Sequence, residues 1–251
     1  MLGAEISRGR GGTAMRPVGG VYPRGTLLWE LDGVTDGEGA DAARAALMRT
    51  GTGHTYEAGE IMLLAGATDT FVLVLLSGFA KVTTTDGRDA AVLVDIRAGG
   101  DVVGETAAFD NEPRSATVTA FEKVRARRIS QDEWLGWMAR HRAAGLAVSR
   151  SLAHRSRTAV RRRTQFTRGP VIARLCRAVL DLTEQYGVRT PEGLSVRPGL
   201  THAEWGELIG ARERRVQHAL QELRTAEAVS YGRCRLTVRS VSALRSIAVD
   251  Q

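Results

Sequence analysis

The chain has 251 residues, of which 43% are hydrophobic and 25% are charged, an ordinary composition for one large globular domain or two small ones. Its formal net charge of +7 at pH 7 favours polyanionic partners, nucleic acid first, and argues against acidic ones. A cationic membrane-surface protein is the alternative, but the sequence contains no basic amphipathic helix with a Trp, Phe and Leu face.

The N-terminal residues 1–24 are rich in Gly and Arg and poor in large apolar side chains. They are basic but lack the apolar core of a secretory signal, and we expect a disordered leader that touches DNA weakly. No apolar run of about eighteen residues or more occurs, so no transmembrane helix is predicted and no membrane partner is expected.

The chain contains only two cysteines, Cys176 and Cys234. Two thiols cannot supply the four thiolates of an iron–sulfur cluster, and they do not indicate a disulfide framework. We therefore expect no iron–sulfur cluster and two reduced thiols in a cytoplasmic protein.

Residues 25–140 are predicted to form a β-barrel domain. Helical spacing predicts a first helix over residues 42–49, which Gly51 ends. Over residues 54–129 the pattern changes to a period of two, with short apolar runs separated by glycine corners. The Asp86-Gly87 pair is a hairpin signal. Short strands with glycine corners predict a double-sheet jelly roll.

Some jelly rolls are metal-dependent enzymes, which need a cluster of His and carboxylate ligands. The five histidines of this chain are His54, His141, His154, His202 and His218. None of them lies in the predicted barrel after the first, so the ligand set is missing. The sequence also lacks a recognisable Ser/His/Asp or Cys/His motif. We expect no metal site and no enzymatic activity.

The stretch GDVVGETAAFDNEPRSATV, residues 100–118, carries an acid and a base on one predicted turn. Glu105, which follows Gly104, can accept hydrogen bonds from sugar hydroxyls. Arg114 can fork onto a phosphate, and Ser115 can donate beside it. A short helix starting near Thr106 adds free N–H groups. This pattern favours a ligand with a sugar and a phosphate; the alternative is an ordinary salt bridge across a β-turn.

A helical region is predicted from residues 131–133 towards Phe166. It contains many arginines, and no acidic residue occurs between Trp134 and Leu180. Its apolar seam is thin. Three apolar residues are spaced seven apart, namely Leu152, Ala159 and Phe166, and Leu146 and Val160 give this seam partial support. An arginine run is usually a solvated face. Across a two-fold axis these arginines would repel each other unless an anion lay between the helices.

The Gly169-Pro170 pair predicts a hinge, because glycine loosens the backbone and proline ends a helix. We place a long helix over residues 141–168 and a C-terminal domain over residues 169–251. An amphipathic helix then ends near Tyr186, with its apolar face formed by Val171, Leu175, Val179 and Leu182.

Residues 200–229 predict a helix-turn-helix. Thr201 and Glu204 form a capping box, Gly210 makes the turn, and a second helix follows. Residues 231–238 predict a β-wing. The start of the second helix, which would enter the major groove, exposes Arg212, Glu213, Arg214, Gln217 and His218. The alternative for these side chains is a charged solvent face.

The stretch at residues 100–118 resembles the phosphate-binding cassette of the cyclic-AMP receptor protein and fumarate–nitrate regulator (CRP/FNR) superfamily. With the winged helix-turn-helix that follows, the resemblance covers residues 26–248. It implies an α+β fold: an N-terminal double-stranded β-helix (jelly-roll) that binds a cyclic nucleotide, a long dimerisation helix and a C-terminal winged helix-turn-helix. It also implies a cytoplasmic homodimer that binds double-stranded DNA and acts with RNA polymerase.

Two features depart from the family pattern. The family places Arg-Glu and a later Arg on the recognition helix, where this chain, aligned on Gly210 and Val216, has Glu213, Arg214 and His218. The operator is therefore expected to differ from the family consensus.

The second departure concerns the base of the ligand. Members that bind cyclic AMP (cAMP) place Thr-Ser on the long helix, where this chain has Ala159 and Val160, which cannot hydrogen-bond to a purine. Thr106 also replaces the usual leucine after Glu105. The residues that would bind the sugar and the phosphate match the family pattern, whereas those that would bind the base differ from it.

The first hypothesis is a regulator controlled by a cyclic nucleotide, with cAMP first. Its ligand contacts are Gly104, Glu105, Thr106, Arg114, Ser115, Ala159 and Val160, and its DNA contacts include Thr201. The second is a ligand-independent DNA-binding protein whose barrel is a dimerisation scaffold or senses another small molecule. A third is a nucleotide-binding module that acts on a protein partner.

Overall fold

The computed structural model describes residues 22–34, 37–85, 91–232 and 235–249. The predicted leader up to residue 21, the Asp86-Gly87 hairpin and Cys234 therefore lie outside the described residues. No helix in the described part of the chain is long and apolar enough to cross a membrane.

Among the described residues, two helices precede the barrel: α1 (Leu27–Asp32) and α2 (Gly37–Arg49). The barrel consists of β1 (Thr52–Tyr56), β2 (Ile61–Leu63), β3 (Val72–Ser77), β4 (Phe79–Thr85), β5 (Ala91–Ala98), β6 (Val102–Val103), α3 (Glu105–Asp110), β7 (Thr117–Ala120) and β8 (Val124–Ile129). Its two antiparallel sheets have the strand orders β1-β8-β3-β6 and β2-β7-β4-β5. The predicted double-sheet jelly roll is confirmed.

The long helical region is divided into α4 (Gln131–Arg140) and α5 (Arg142–Gln165), because His141 between them has an extended backbone. One face of α5 packs on α1 and α4 through small side chains: Ala143, Ala144, Ala147, Val148 and Ser151. The predicted seam of α5 is wrong at Phe166, which is 2% exposed and lies in the C-terminal core. Leu152 packs against the N-terminal core instead.

The C-terminal domain consists of α6 (Val171–Tyr186), β9 (Val188–Thr190), β10 (Gly193–Val196), α7 (His202–Ile209), α8 (Glu213–Thr225), β11 (Val229–Gly232), β12 (Arg235–Val238) and α9 (Val241–Val249). The capping box is confirmed, since Thr201 Oγ1 accepts from Glu204 N–H at 3.2 Å and the Glu204 carboxylate accepts from Thr201 N–H at 2.9 Å. Gly210 turns the chain between α7 and α8 with a positive φ of 62°.

The barrel and the C-terminal domain share a core. Leu93 and Ile96 of β5 are buried in the same cluster as Trp205 and Ile209 of α7. The Leu93 N–H also donates to Glu207 Oε2 at 2.8 Å. These contacts place α7 against the barrel and leave the first turn of α8 exposed.

Candidate functional site

The structure brings the five predicted cassette residues together around one cavity of about 130 Å³. They are Gly104, Glu105, Thr106, Arg114 and Ser115. Thr106 and Ser115 are exposed at its mouth, whereas Glu105 and Arg114 are buried. Such a cavity offers one carboxylate, one guanidinium and two hydroxyls to a polar ligand.

Gly104 allows the cassette to fold tightly onto Arg114. Its φ is 85°, a conformation that side chains disfavour. A Cβ at this position would lie 2.5 Å from Arg114 Nη1 and 3.0 Å from the Phe71 carbonyl oxygen. Arg114 Nη1 donates to the Gly104 carbonyl at 2.7 Å, so Gly104 and Arg114 hold each other in place.

Arg114 is oriented by partners that the sequence does not indicate. Its side chain is 2% exposed, and Nε donates to Asp69 Oδ1 at 2.9 Å. Nη2 donates to the Phe71 carbonyl at 2.6 Å. A buried guanidinium held in this way is pre-organised for an anion, but Asp69 already neutralises part of its charge.

Glu105 is paired with the long helix. Its Oε1 accepts from Arg155 Nη1 at 2.6 Å. Arg155 Nη2 donates to Asp101 Oδ1 at 3.1 Å and to the Val102 carbonyl at 2.5 Å. Sugar hydroxyls must therefore share Glu105 with Arg155 or displace it. Sequence reasoning missed Arg155 as a site residue, because it was one of many arginines on the helix.

A chain of buried and half-buried charges continues from the cavity towards the C-terminal domain. Asp95 on β5 accepts from Arg97 and Arg162 at 2.5 and 2.6 Å, and Arg162 Nε donates to Asp181 of α6 at 2.9 Å. Burial opposes ionisation of Asp95, yet Arg97 and Arg162 hold its pKa below the ordinary value. Arg162 thus bridges the barrel, the long helix and the C-terminal domain.

The start of α8 presents the predicted DNA-binding side chains to solvent. Arg212, at the N-cap, and Arg214 are exposed. Gln217 Nε2 donates to Glu213 Oε1 at 3.2 Å, and the exposed His218 lies 3.2 Å from Glu222. The hydroxyl of Thr201, the remaining predicted contact, caps α7. The four side chains on α8 and the N-cap arginine form one surface that can enter a groove.

Two family models match this chain in the order of its domains. A model described as a cyclic nucleotide-binding domain matches residues 54–141, and one described as a Crp-like helix-turn-helix domain matches residues 173–247. The chain belongs to the CRP/FNR superfamily. Like that family, it is a transcriptional regulator and not an enzyme.

Relatives agree with this assignment. The CRP-like cAMP-activated global transcriptional regulator of Mycobacterium tuberculosis is 27% identical over 183 residues, which cover 72% of this chain and 81% of the relative. A CRP-family regulator from Thermus thermophilus has a TM-score of 0.67 at 20% identity, over 78% of this chain and 96% of that one. The c-di-GMP responsive global regulator CLP of Xanthomonas campestris has a TM-score of 0.65 at 15% identity, over 80% and 99%. The two structural likenesses show the fold alone.

In this CRP/FNR regulator, Ala159 and Val160 do not line the cavity. Both are exposed on α5, and Val160 is 67% exposed. The helix instead presents Arg155 to the ligand side, one turn earlier. A ligand contact by Ala159 or Val160 stays a prediction.

Neither a metal cluster nor a reactive thiol marks the described part of this regulator. No group of three or more His, Cys, Asp and Glu side chains that could hold a metal ion is found among the described residues. Burial raises the pKa of the Cys176 thiol to about 12, so this thiol is protonated and unreactive at neutral pH.

A smaller cavity of about 30 Å³ adjoins the charge chain, and His154 lines it together with residues 24–26, which precede α1, and with residues of β5 and α6. The ring fills the space beside Gly25, whose added Cβ would lie 2.1 Å from His154 Cδ2. Burial and the nearby Arg24, Arg157 and Arg161 lower the pKa of His154, because each disfavours the imidazolium.

We expect His154 to make the folded protein sensitive to mild acid. Its folded pKa lies below the unfolded value of about 6.5, so the unfolded chain binds the proton first. Stability is therefore full above about pH 6.5 and falls as the pH drops towards the folded pKa. Denaturant unfolding of the wild type and His154→Gln at several pH values checks this. The variant should lose less stability than the wild type over this range; parallel profiles would contradict the assignment.

Proposed function

We propose that this CRP/FNR regulator binds a cyclic purine mononucleotide in the barrel and a two-fold operator as a homodimer. The observation that carries the proposal is that Glu105, Arg114 and Ser115 line one and the same cavity. A cytoplasmic transcription factor of this kind has RNA polymerase as its further expected partner.

The two ends of the cassette suit different parts of the ligand. Arg114 and Ser115 bind the cyclic phosphate, because a fixed guanidinium and a hydroxyl give charge-assisted hydrogen bonds. Glu105 accepts from the ribose hydroxyl. cAMP is the first candidate, since the relative from Mycobacterium tuberculosis is named as cAMP-activated.

Ligand binding and DNA binding are coupled through α5. The ribose competes with Arg155 for Glu105, and Arg155 belongs to the helix that carries Arg162 and leads into the hinge. A ligand shifts this equilibrium only by its differential affinity for the two arrangements. Replacement of Arg155 by the ribose as the partner of Glu105 supplies such a difference in affinity.

The proposal is tested by calorimetry with cAMP and cyclic GMP, and by operator binding with and without nucleotide. The operator is selected from randomised DNA duplexes. We expect heat with at least one nucleotide and a tighter operator complex in its presence. No heat with either nucleotide, together with unchanged operator affinity, would remove the sensing half of the proposal.

A ligand-independent regulator is the second candidate. Glu105 and Arg114 both have protein partners, Arg155 and Asp69, so the cassette is electrostatically satisfied without a ligand. This candidate predicts operator binding at full strength in the absence of nucleotide.

Arg214 is expected to contribute base recognition. Arg214→Ala should weaken binding to the selected operator by about tenfold, since an arginine fork onto guanine contributes about 1–3 kcal/mol of discrimination. Arg224→Ala is the matched control, because this exposed arginine lies in the last turn of the same helix. Fluorescence anisotropy measures both. Equal losses would assign Arg214 to general charge attraction instead.

A further inference from the structure

Arg97 lines the cavity on the side that it shares with the smaller cavity, which neither residue of the proposed phosphate site lines. Arg97 and Arg155 line both the 130 Å³ cavity and the 30 Å³ cavity beside it, whereas Arg114 and Ser115 line only the larger one. In a 3′,5′-cyclic nucleotide the phosphate and the base are attached at opposite sides of the ribose. A ligand held at Arg114 and Glu105 therefore directs its base towards Arg97.

The guanidinium of Arg97 has one free edge. Nη1 donates to Asp95 Oδ2 at 2.5 Å and makes a longer contact of 3.4 Å with the Ile96 carbonyl. Within the described residues, Nε and Nη2 have no hydrogen-bond acceptor, although the side chain is only 17% exposed. On the same side of the cavity, the buried Nε of Arg155 also lacks an acceptor among these residues.

Arg97 stays charged at every physiological pH. Burial opposes its protonation, but the carboxylates of Asp95, Asp101 and Glu105 together raise its pKa above the ordinary value. The free edge is thus a fixed pair of parallel donors, and a planar fork of this kind is satisfied by two adjacent acceptors.

Guanine and adenine differ in the acceptors that they present to such a fork. Guanine presents N7 and O6 as two adjacent acceptors, whereas adenine presents the N7 acceptor beside the N6 amino donor. An arginine fork therefore matches guanine at both positions and opposes adenine at one. A second phosphate would offer the same two-acceptor chemistry.

We propose that Arg97 is a specificity-determining residue that reads the base and makes this regulator prefer a guanine over an adenine cyclic nucleotide. The inference rests on the proposed function, since it requires a cyclic nucleotide in the cavity. It replaces cAMP, the first candidate, by a ligand with a two-acceptor edge.

The test is calorimetry of the full-length protein with cyclic GMP, cyclic IMP and cAMP. Cyclic IMP keeps O6 and N7 but lacks the 2-amino group. We expect cyclic GMP and cyclic IMP to bind about tenfold more tightly than cAMP. Tighter binding of cAMP would overturn the inference and leave the proposed function standing. Binding of none of the three would overturn both.

Arg97→Lys separates base reading from support of the cavity. Lysine keeps a positive charge near Asp95 but cannot present a planar fork. We expect about a tenfold loss for cyclic GMP and cyclic IMP and a change of less than about twofold for cAMP. An equal loss for all three would make Arg97 a structural residue and overturn the inference.

Cyclic di-AMP distinguishes the two sources of a two-acceptor edge, because it carries a second phosphate but no guanine. Binding of this dinucleotide without binding of cyclic GMP would assign the fork of Arg97 to a second phosphate and overturn the guanine assignment. Tighter binding of cyclic GMP than of cyclic di-AMP supports it.

Discussion

Arg114→Ala is expected to weaken cyclic-nucleotide binding by about a hundredfold. Asp69, Gly104 and Phe71 accept from four of the five guanidinium N–H groups, so among the described residues one N–H, on Nη1, is free for the phosphate. A hydrogen bond from a charged group contributes about 1.5–3 kcal/mol, and the upper end of this range corresponds to about a hundredfold. Arg114 is suited to this role because Asp69 and the Gly104 and Phe71 carbonyls fix its guanidinium beside the cavity. Calorimetry with the best-bound nucleotide measures the loss.

Arg128→Ala is the matched control for that experiment. The guanidinium carbons of Arg128 and Arg114 lie 3.7 and 5.0 Å from the ring centre of Phe71. Only Arg114 of these two lines the cavity. We expect the Arg128 variant to bind within about twofold of the wild type, because an exposed cation–π contact contributes about 0.5–1 kcal/mol to the barrel alone. Equal losses in the two variants would show that Phe71 packing, and not a phosphate contact, explains the effect.

Asp181→Ala is expected to lower the free energy of unfolding by about 3 kcal/mol, the lower end of the cost of removing one partner from a buried ion pair. Asp181 is 7% exposed and accepts from Arg162 Nε and Gln185 Nε2, each at 2.9 Å, and from Arg161. Its loss leaves Arg162, whose side chain is 9% exposed, with Asp95 as its remaining acidic partner. Denaturant unfolding measures the change.

The same variant tests the link between the domains. Asp181 lines neither cavity, so nucleotide affinity should be retained while the nucleotide-dependent gain in operator affinity falls. Arg161→Ala is the control, because Arg161 is 47% exposed and its ion pair is screened, so we expect a loss of less than about 1 kcal/mol. Full retention of the gain in the Asp181 variant would contradict a coupling role for the Arg162 bridge.

Local patterns in the sequence predicted the elements that depend on near neighbours. The capping box at Thr201, the glycine turn at Gly210 and the helix ending near Tyr186 are all present. These features are determined by residues within one or two helical turns, and such short-range contacts can be recognised in a single sequence. Residues 189–199 predict a loop with one short strand, where the structure has the hairpin of β9 and β10, and the final helix α9 was not predicted.

The sequence by itself therefore determined the order of the domains and the acid and base of the cassette, Glu105 and Arg114. Only the tertiary structure decided their partners. Arg155 is 50 residues from Glu105, and Asp69 is 45 residues from Arg114. No local period relates such pairs, because the strand order of the barrel and the packing of α5 bring them together. For the same reason, the free edge of Arg97 in the cavity became visible only in the folded chain.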